Sequence, residues 1–285
     1  MAKPRTAWVL AGGGSLGAIQ VGMLKALVAA QVPCDAVVGA SVGALNGAVL
    51  AARPDADGLA DLERLWCSLR RNDVFPLSLP SVLRHWLSGT GAISSSGALR
   101  RLIGHALTIK RLQDTRIPLT VIATDLLNGE EIRLSECAIE PALMASAAIP
   151  AVFPPVHHDG RWLADGGIAS HTPIAAAIAQ DAERVLVLPT GMSCALREPP
   201  RGVAAAALHA LNLLIMRQVI DDIRRFGSAH KIAVVPPLCP LNVNIFDFSQ
   251  TAGLIQRAEA ATHTWLDSGG LDHSTIPETL KPHRH

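Results

Sequence analysis

A serine flanked by small residues and glycines, Gly39-Ala40-Ser41-Val42-Gly43, is the part of this sequence best suited to covalent chemistry. A serine hydroxyl attacks a carbonyl carbon efficiently only when it is presented openly, when a base takes its proton and when donors receive the oxyanion. A G-x-S-x-G meets the first need where a buried strand turns into a helix so tightly that only small side chains fit around the serine. The flanking sequence supplies that setting. Ala36–Ala40 is a short apolar run, and Val42–Ala52 predicts a helix stopped by Pro54. Ser41 is then expected at the first helical turn, where the dipole and unpaired N–H groups favour an alkoxide. The plainer alternative is a serine that caps a helix.

Two more clusters could complete such a site. Gly12-Gly13-Gly14-Ser15-Leu16-Gly17 lies between an apolar strand and a helix. Gly12, Gly14 and Gly17 fit the dinucleotide fingerprint G-x-G-x-x-G, and Asp35 follows at about the right distance. The ribose-binding acid, however, belongs at the carboxyl end of the second strand. Asp35 precedes Ala36-Val37-Val38, at the opposite end, which counts against a dinucleotide. The other use of such a loop is to aim bare backbone N–H groups at a developing negative charge. Asp165-Gly166-Gly167 follows the apolar strand Trp162-Leu163-Ala164, and taken alone it reads as an ordinary turn aspartate. His157, His158, His171 and His209 could in principle make a triad. The first two abut the turn Asp159-Gly160, and His209 lies in a greasy helix. His171 follows the Asp-Gly-Gly turn closely and is the auxiliary candidate.

These clusters sit in an alternation of strands and helices. Thr6–Ala11 reads as a buried strand and Ala18–Ala30 as a helix, so the chain opens with a βαβ unit and a parallel pair. Residues 55–117 read as a helical, irregular, cap-like insertion. Within it Leu59–Arg70 is amphipathic, the apolar stripe around Leu83 and Trp86 reads as core or as a lid, and Ser94-Ser95-Ser96-Gly97 reads as a helix-capping loop. Strands are expected over Ile117–Thr124 and Glu131–Leu134, joined by the Asn128-Gly129 turn, and again at Arg184–Leu188 and Ile232–Val235. Helices are expected at Ala142–Ala148, Val203–Arg225 and Thr251–Leu266, with a disordered tail over Lys281–His285. Asp125 reads as a strand-end residue. The expectation is one α/β domain over residues 1–285, a three-layer α/β/α with a mainly parallel central sheet.

Composition narrows the function. Apolar residues make up 49% of the 285, charged residues 17%, and the net charge is +1. With arginines scattered and no Tyr, neither a basic face nor a base-stacking platform for nucleic acid is indicated. The five cysteines (Cys34, Cys67, Cys137, Cys194, Cys239) are odd in number, widely spaced and never C-x-x-C, which argues against a disulfide framework or a zinc cage. Lys3 and Arg5 precede an apolar stretch, but glycines interrupt it and no cleavage site follows. The longest greasy run, Val203–Met216, is too short to span a bilayer. A cytoplasmic protein that can touch a membrane surface is the expectation, with no metal or cofactor.

In that order along the chain, the glycine loop, the serine elbow and Asp-Gly-Gly resemble the patatin-like phospholipase family. Ala145-Ser146-Ala147-Ala148-Ile149-Pro150-Ala151-Val152-Phe153-Pro154-Pro155 is similar to the family's segment before its Asp-Gly-Gly turn, and Ala123-Thr124-Asp125-Leu126 and Phe246-Asp247-Phe248-Ser249 resemble bacterial members. The resemblance implies a patatin-like fold and a Ser41–Asp165 dyad, with backbone N–H groups of Gly13 and Gly14 as the oxyanion hole, joined by that of Val42. Gly12, Gly17, Gly39, Gly43, Gly166 and Gly167 support the motifs. It departs from the family at Leu16, where a Lys or Arg is frequent, and at His171, where an Asn is usual before Pro173. The implied activity is hydrolysis of fatty-acyl esters of phospholipids, lysophospholipids or related lipids. Alternatives are an acyltransferase or thioesterase on the same dyad, or, from another class, a dinucleotide-binding or catalytically silent regulatory protein.

Overall fold

The computed structural model describes residues 5–75, 96–191, 202–241 and 243–272, with Pro199 and Pro277 besides. The stripe around Leu83 and Trp86, Ser94, Ser95, Cys194 and the tail lie outside them. The first strand, β1 (Thr6–Leu10), leads through the glycine loop into α1 (Gly17–Ala29). Then come β2 (Ala36–Ala40) and α2 (Val42–Ala52), as the apolar runs and Pro54 require. Among the described residues, α3 (Ala56–Ser68), α4 (Arg71–Val74) and α5 (Gly97–Ala106) follow. β3 (Leu119–Asp125) and β4 (Glu131–Leu134) precede α6 (Ile139–Ser146). The hairpin β5 (Val156–His158) and β6 (Arg161–Asp165) leads into two short helices, α7 (Gly167–Ser170) and α8 (Ile174–Ile178). The chain continues through β7 (Arg184–Leu188), α9 (Val203–Phe226), β8 (Lys231–Val234) and α10 (Thr251–Asp267).

The strands form one sheet in the order β5-β6-β3-β2-β1-β7-β8, with β4 also on β3. β3-β2-β1-β7-β8 are parallel neighbours, so the sheet is mainly parallel, as expected. Alternate strand residues face opposite layers. Trp8, Leu10, Val37, Leu186 and Leu188 enter a large core with α1, α2, α3, α5, α6 and α10. Ala7, Val9, Val38, Val185 and Val187 enter a smaller one with α8 and α9. Each fully buried Val or Leu contributes about 1.5–3 kcal/mol, which explains strands that are apolar throughout rather than alternating.

The feature that positions the site is a seam along β3. Ala40 of β2 pairs with Ile122, and one residue further on Asp165 of β6 pairs with Ala123. β4 occupies the opposite edge of β3 across Val121–Thr124. β2 and the antiparallel β6 therefore share one edge of β3 and meet carboxyl end to carboxyl end.

His157 and His158 close the three-residue strand β5 and abut the turn at Asp159 and Gly160, both with positive φ, as expected. One local expectation changes. Gly97 is the first residue of α5, and its N-cap Ser96 makes no side-chain capping bond, so this serine does not cap in the expected way. Asp125 ends β3, where one carboxylate oxygen accepts the Leu127 N–H at 3.0 Å and the other lies 3.2 Å from Arg161.

Candidate active site

Ser41 stands between β2 and α2 with φ 53° and ψ −126°, a conformation that costs a non-glycine residue about 1–3 kcal/mol. The strain lifts the side chain out of the turn toward the neighbouring strand end. A Cβ on Gly43 would lie 2.2 Å from the Leu10 carbonyl oxygen, so the turn closes this tightly only with glycine there. Gly39 faces the same turn backbone across it. The Ser41 amide is not left bare: it donates to Ser146 Oγ at 2.9 Å, a buried partner on the last residue of α6.

The seam then delivers the partner. Ser41 Oγ donates to Asp165 Oδ2 at 2.6 Å. The other carboxylate oxygen accepts the Gly167 N–H at 2.7 Å, as the Asp-Gly-Gly turn folds back over its own side chain. Gly166 lies so close under β3 that a Cβ there would sit 2.2 Å from the Ile122 carbonyl oxygen. The Asp165 amide donates to Ala148 O at 3.0 Å and the Gly166 amide to Ser146 O at 3.1 Å. Residues 146–148 thus hold both the serine and the aspartate. Thr124 Oγ1 adds a bond to the Asp165 carbonyl at 2.8 Å. Burial pushes the Asp165 carboxyl up to about 6, against the opposing hydrogen bonds from Ser41 and Gly167.

The glycine loop runs beside this pair. The Gly12 amide donates to His171 O at 3.0 Å, and the Gly12 carbonyl accepts from Thr190 Oγ1. Gly13 has φ 148°, and a Cβ on it would fall within 2.2 Å of Thr190 Oγ1. Ser15 N–H donates to Ile245 O at 2.8 Å, which ties the loop to the segment before α10. Among the described residues no acceptor meets the amides of Gly13 and Gly14, and that of Val42 opens α2 in the first turn, where N–H groups have no helical partner. Gly17 closes the loop against Val42 and Trp66. Leu16, at the position of the family's frequent cation, is buried in the core.

His171 is placed near the pair but not in it. Its ring edge lies 3.2 Å from where a Gly12 Cβ would be, a point also 3.4 Å from Ser41 Cβ. Its Nδ1 is 3.4 Å from Thr172 Oγ1, and among the described residues no hydrogen bond links the imidazole to Asp165 or Ser41. Crowding strips water from the ring and lowers its pKa to about 4. The His157 ring packs edge-on against Trp162 at 4.9 Å, and the His209 side chain is outside the described atoms. Asp35, the acid of the dinucleotide reading, accepts the Thr6 N–H at 2.8 Å, at the far end of the sheet from the glycine loop. Ser146, Thr124 and Thr190 were not singled out by sequence, since each is a lone hydroxyl in an ordinary context. The segments Ala145–Pro155 and Ala123–Leu126, each taken whole, contain Ser146 and Thr124, and nothing pointed toward Thr190.

An apolar cavity of about 100 Å³ opens beside Ser41 and Gly14. Val49 of α2, Leu62 and Trp66 of α3, Ile103 of α5, Phe153 and Phe248 line it.

The sequence pattern of the family described as Patatin-like phospholipase matches residues 8–178, more than half of the chain. The chain belongs to the patatin-like phospholipase family. The matched span contains the glycine loop, the elbow and the Asp-Gly-Gly turn. Within the family, an uncharacterized NTE family protein of Mycobacterium tuberculosis is 34% identical over 177 residues, which is 61% of this chain and 45% of that one. Human patatin-like phospholipase domain-containing protein 6 is 30% identical over 190 residues, 65% of this chain and 13% of that protein. The chain therefore spans less than half the length of these relatives. Among solved structures, human GIVD cytosolic phospholipase A2 in complex with methyl gamma-linolenyl fluorophosphonate superposes with a TM-score of 0.54 at 12% identity, covering 97% of this chain and 59% of that one. VipD from Legionella pneumophila gives 0.51 at 16% identity, covering 94% and 67%. These two likenesses establish a shared fold. No helix among the described residues is long and apolar enough to cross a membrane.

Proposed function

We propose that this chain is a serine acyl hydrolase acting on fatty-acyl esters of phospholipids, lysophospholipids or related lipids, through an acyl-enzyme on a Ser41–Asp165 dyad. The observation that carries the reading is the 2.6 Å hydrogen bond from Ser41 Oγ to a buried carboxylate, set beside an apolar cavity. In the reaction Ser41 Oγ attacks the ester carbonyl carbon as its proton passes to Asp165 Oδ2. The tetrahedral oxygen is received by the amides of Gly13 and Gly14, with that of Val42. Collapse expels the alcohol, which takes the proton from Asp165, and a water activated by the same carboxylate then releases the fatty acid. A carboxylate is a weak base for a serine, and two features compensate. Desolvation raises Asp165 to about 6, and each oxyanion donor is worth about 3 kcal/mol in such sites.

The cavity suits an acyl chain, and family membership supports a lipid ester. Leu62, Trp66, Phe75 and Ile103 come from 55–117, which supports reading that region as a helical cap over the site. Peripheral contact with a lipid surface belongs to the same proposal. The test is labelling with a fluorophosphonate probe, followed by hydrolysis of a lipid panel. The wild type labels and Ser41→Ala does not. Absence of labelling in folded wild-type protein would overturn the reading, and transfer to an added alcohol in preference to water would favour an acyltransferase.

A further inference from the structure

Among the described residues lining the apolar cavity is one amide side chain, Asn46, whose hydrogen bonds lead away from the cavity toward the glycine loop. Trp66 Nε1 donates to Asn46 Oδ1 at 2.9 Å. Asn46 Nδ2 donates to the Gly17 carbonyl at 3.0 Å and to Gln20 Oε1 at 3.0 Å. Gln20 Nε2 in turn donates to the Ala11 carbonyl at 2.8 Å and to Leu188 O at 3.0 Å. Gln20 is fully buried, and Asn46 and Trp66 are nearly so. All four amide hydrogens of the two side chains are used, and donation runs in one sense, from the cavity wall to the sheet.

The two backbone carbonyls on the loop are those of Ala11 and Gly17, the residues immediately flanking Gly12–Leu16. We infer that Gln20 and Asn46 are positioning residues that clamp both ends of the glycine loop and tie it to the acyl cavity through Trp66. This rests on the proposed acyl-transfer chemistry, since it gives the clamped amides of Gly13 and Gly14 their task. Buried amides are costly to leave unpaired, so such a chain is rigid when complete and disrupted as a whole when one member is lost. The Gly13 and Gly14 amides are bonded to nothing else among the described residues. Their direction is set by how the loop around them is held, at Gly12 by His171 and Thr190, at Ser15 by Asn244 and Ile245, and at the two ends by Gln20 and Asn46. Oxyanion stabilisation depends on that direction.

The test combines near-isosteric variants with two readouts. Asn46→Leu and Gln20→Met keep volume and remove the bonds. In each, hydrogen–deuterium exchange of the peptide spanning residues 11–17 quickens at the bonded amides of Ala11, Gly12 and Ser15. On a soluble fatty-acyl ester kcat falls about 10- to 100-fold while KM stays within about two-fold. Trp66→Phe removes both the Nε1 donor and the ring edge that meets Gly17, so exchange over 11–17 quickens there as well. The double variant Gln20→Met/Asn46→Leu loses no more than the worse single one, as expected for residues acting as one unit. Unchanged exchange over 11–17 in folded Asn46→Leu overturns the clamp, as does a loss confined to KM. Exchange is read without turnover, so the clamp is decided even if the wild type fails to label with fluorophosphonate, a result that removes the catalytic reading alone.

Discussion

Replacing Asp165 with Asn is expected to abolish turnover and to make the protein more stable above neutral pH. Burial raises the carboxyl from 3.8 to about 6 in the folded protein. A carboxylate with a raised folded pKa contributes fully to stability below its unfolded value and loses that contribution as pH rises through the folded one. Asp165 is neutral in both states near pH 3 and ionised in both near pH 8, where the difference amounts to about 3 kcal/mol against the fold. The replacing amide carries no such penalty, can accept the Gly167 N–H on its oxygen and can donate to Ser41 Oγ from its nitrogen. The variant's advantage over wild type should therefore grow by about 1–2 kcal/mol between pH 5 and pH 8. Urea denaturation of both proteins at several pH values measures it, with other titrating groups cancelling in the difference. A difference in stability that is flat with pH, or one that shrinks toward pH 8, refutes the reasoning. Near wild-type turnover by the variant would separately remove Asp165 as the base.

Four further outcomes follow from the same geometry. The log of kcat/KM should rise with pH along a limb centred near 6 as Asp165 ionises, and His171→Asn should leave that limb in place because the imidazole, lowered to about 4, is neutral throughout. Ser41→Gly should exceed Ser41→Ala in stability by about 1 kcal/mol in thermal or urea unfolding, because φ 53° is strained for alanine and open to glycine. Val49 lies eight residues beyond Ser41 on the helix that starts there, about 12 Å along its axis. Val49→Phe should lower kcat/KM on long-chain esters relative to butyrate about ten-fold, read from a chain-length series. Gly13→Ala should lose both fluorophosphonate labelling and stability, because its Cβ would collide with Thr190.

Much of this site was legible because it is written in backbone constraints. The borders of β2 and α2 follow from an apolar run, a tight turn and Pro54, and they place Ser41 without reference to anything distant. The glycine loop was equally local, and the place of Asp35 before β2 already counted against a dinucleotide; its carboxylate accepts the Thr6 N–H at the other end of the sheet. Asp165 could not be read from its neighbours, since the pairing of β6 against β3 spans about forty residues of sequence and depends on tertiary register. Ser146 and Thr124 act on Ser41 and Asp165 by the same long-range accident. The strand β5 escaped notice because three residues with two histidines carry no periodicity. The short helices α7 and α8 contain too few turns for an apolar stripe to repeat.

The meeting of β2 and β6 on β3 makes that strand a ruler. Ile122 and Ala123 are consecutive residues, and the rise between them sets how far the serine stands from the aspartate, although the two are 124 positions apart in the chain. Length added to the loops between α2 and β3 leaves this spacing untouched. A single residue inserted between Ile122 and Ala123 would part the pair without altering either member. Evolution is accordingly free to enlarge or remodel what covers the pocket, and hence which substrates enter, while the spacing needed for chemistry is kept by two adjacent residues that carry no reactive group.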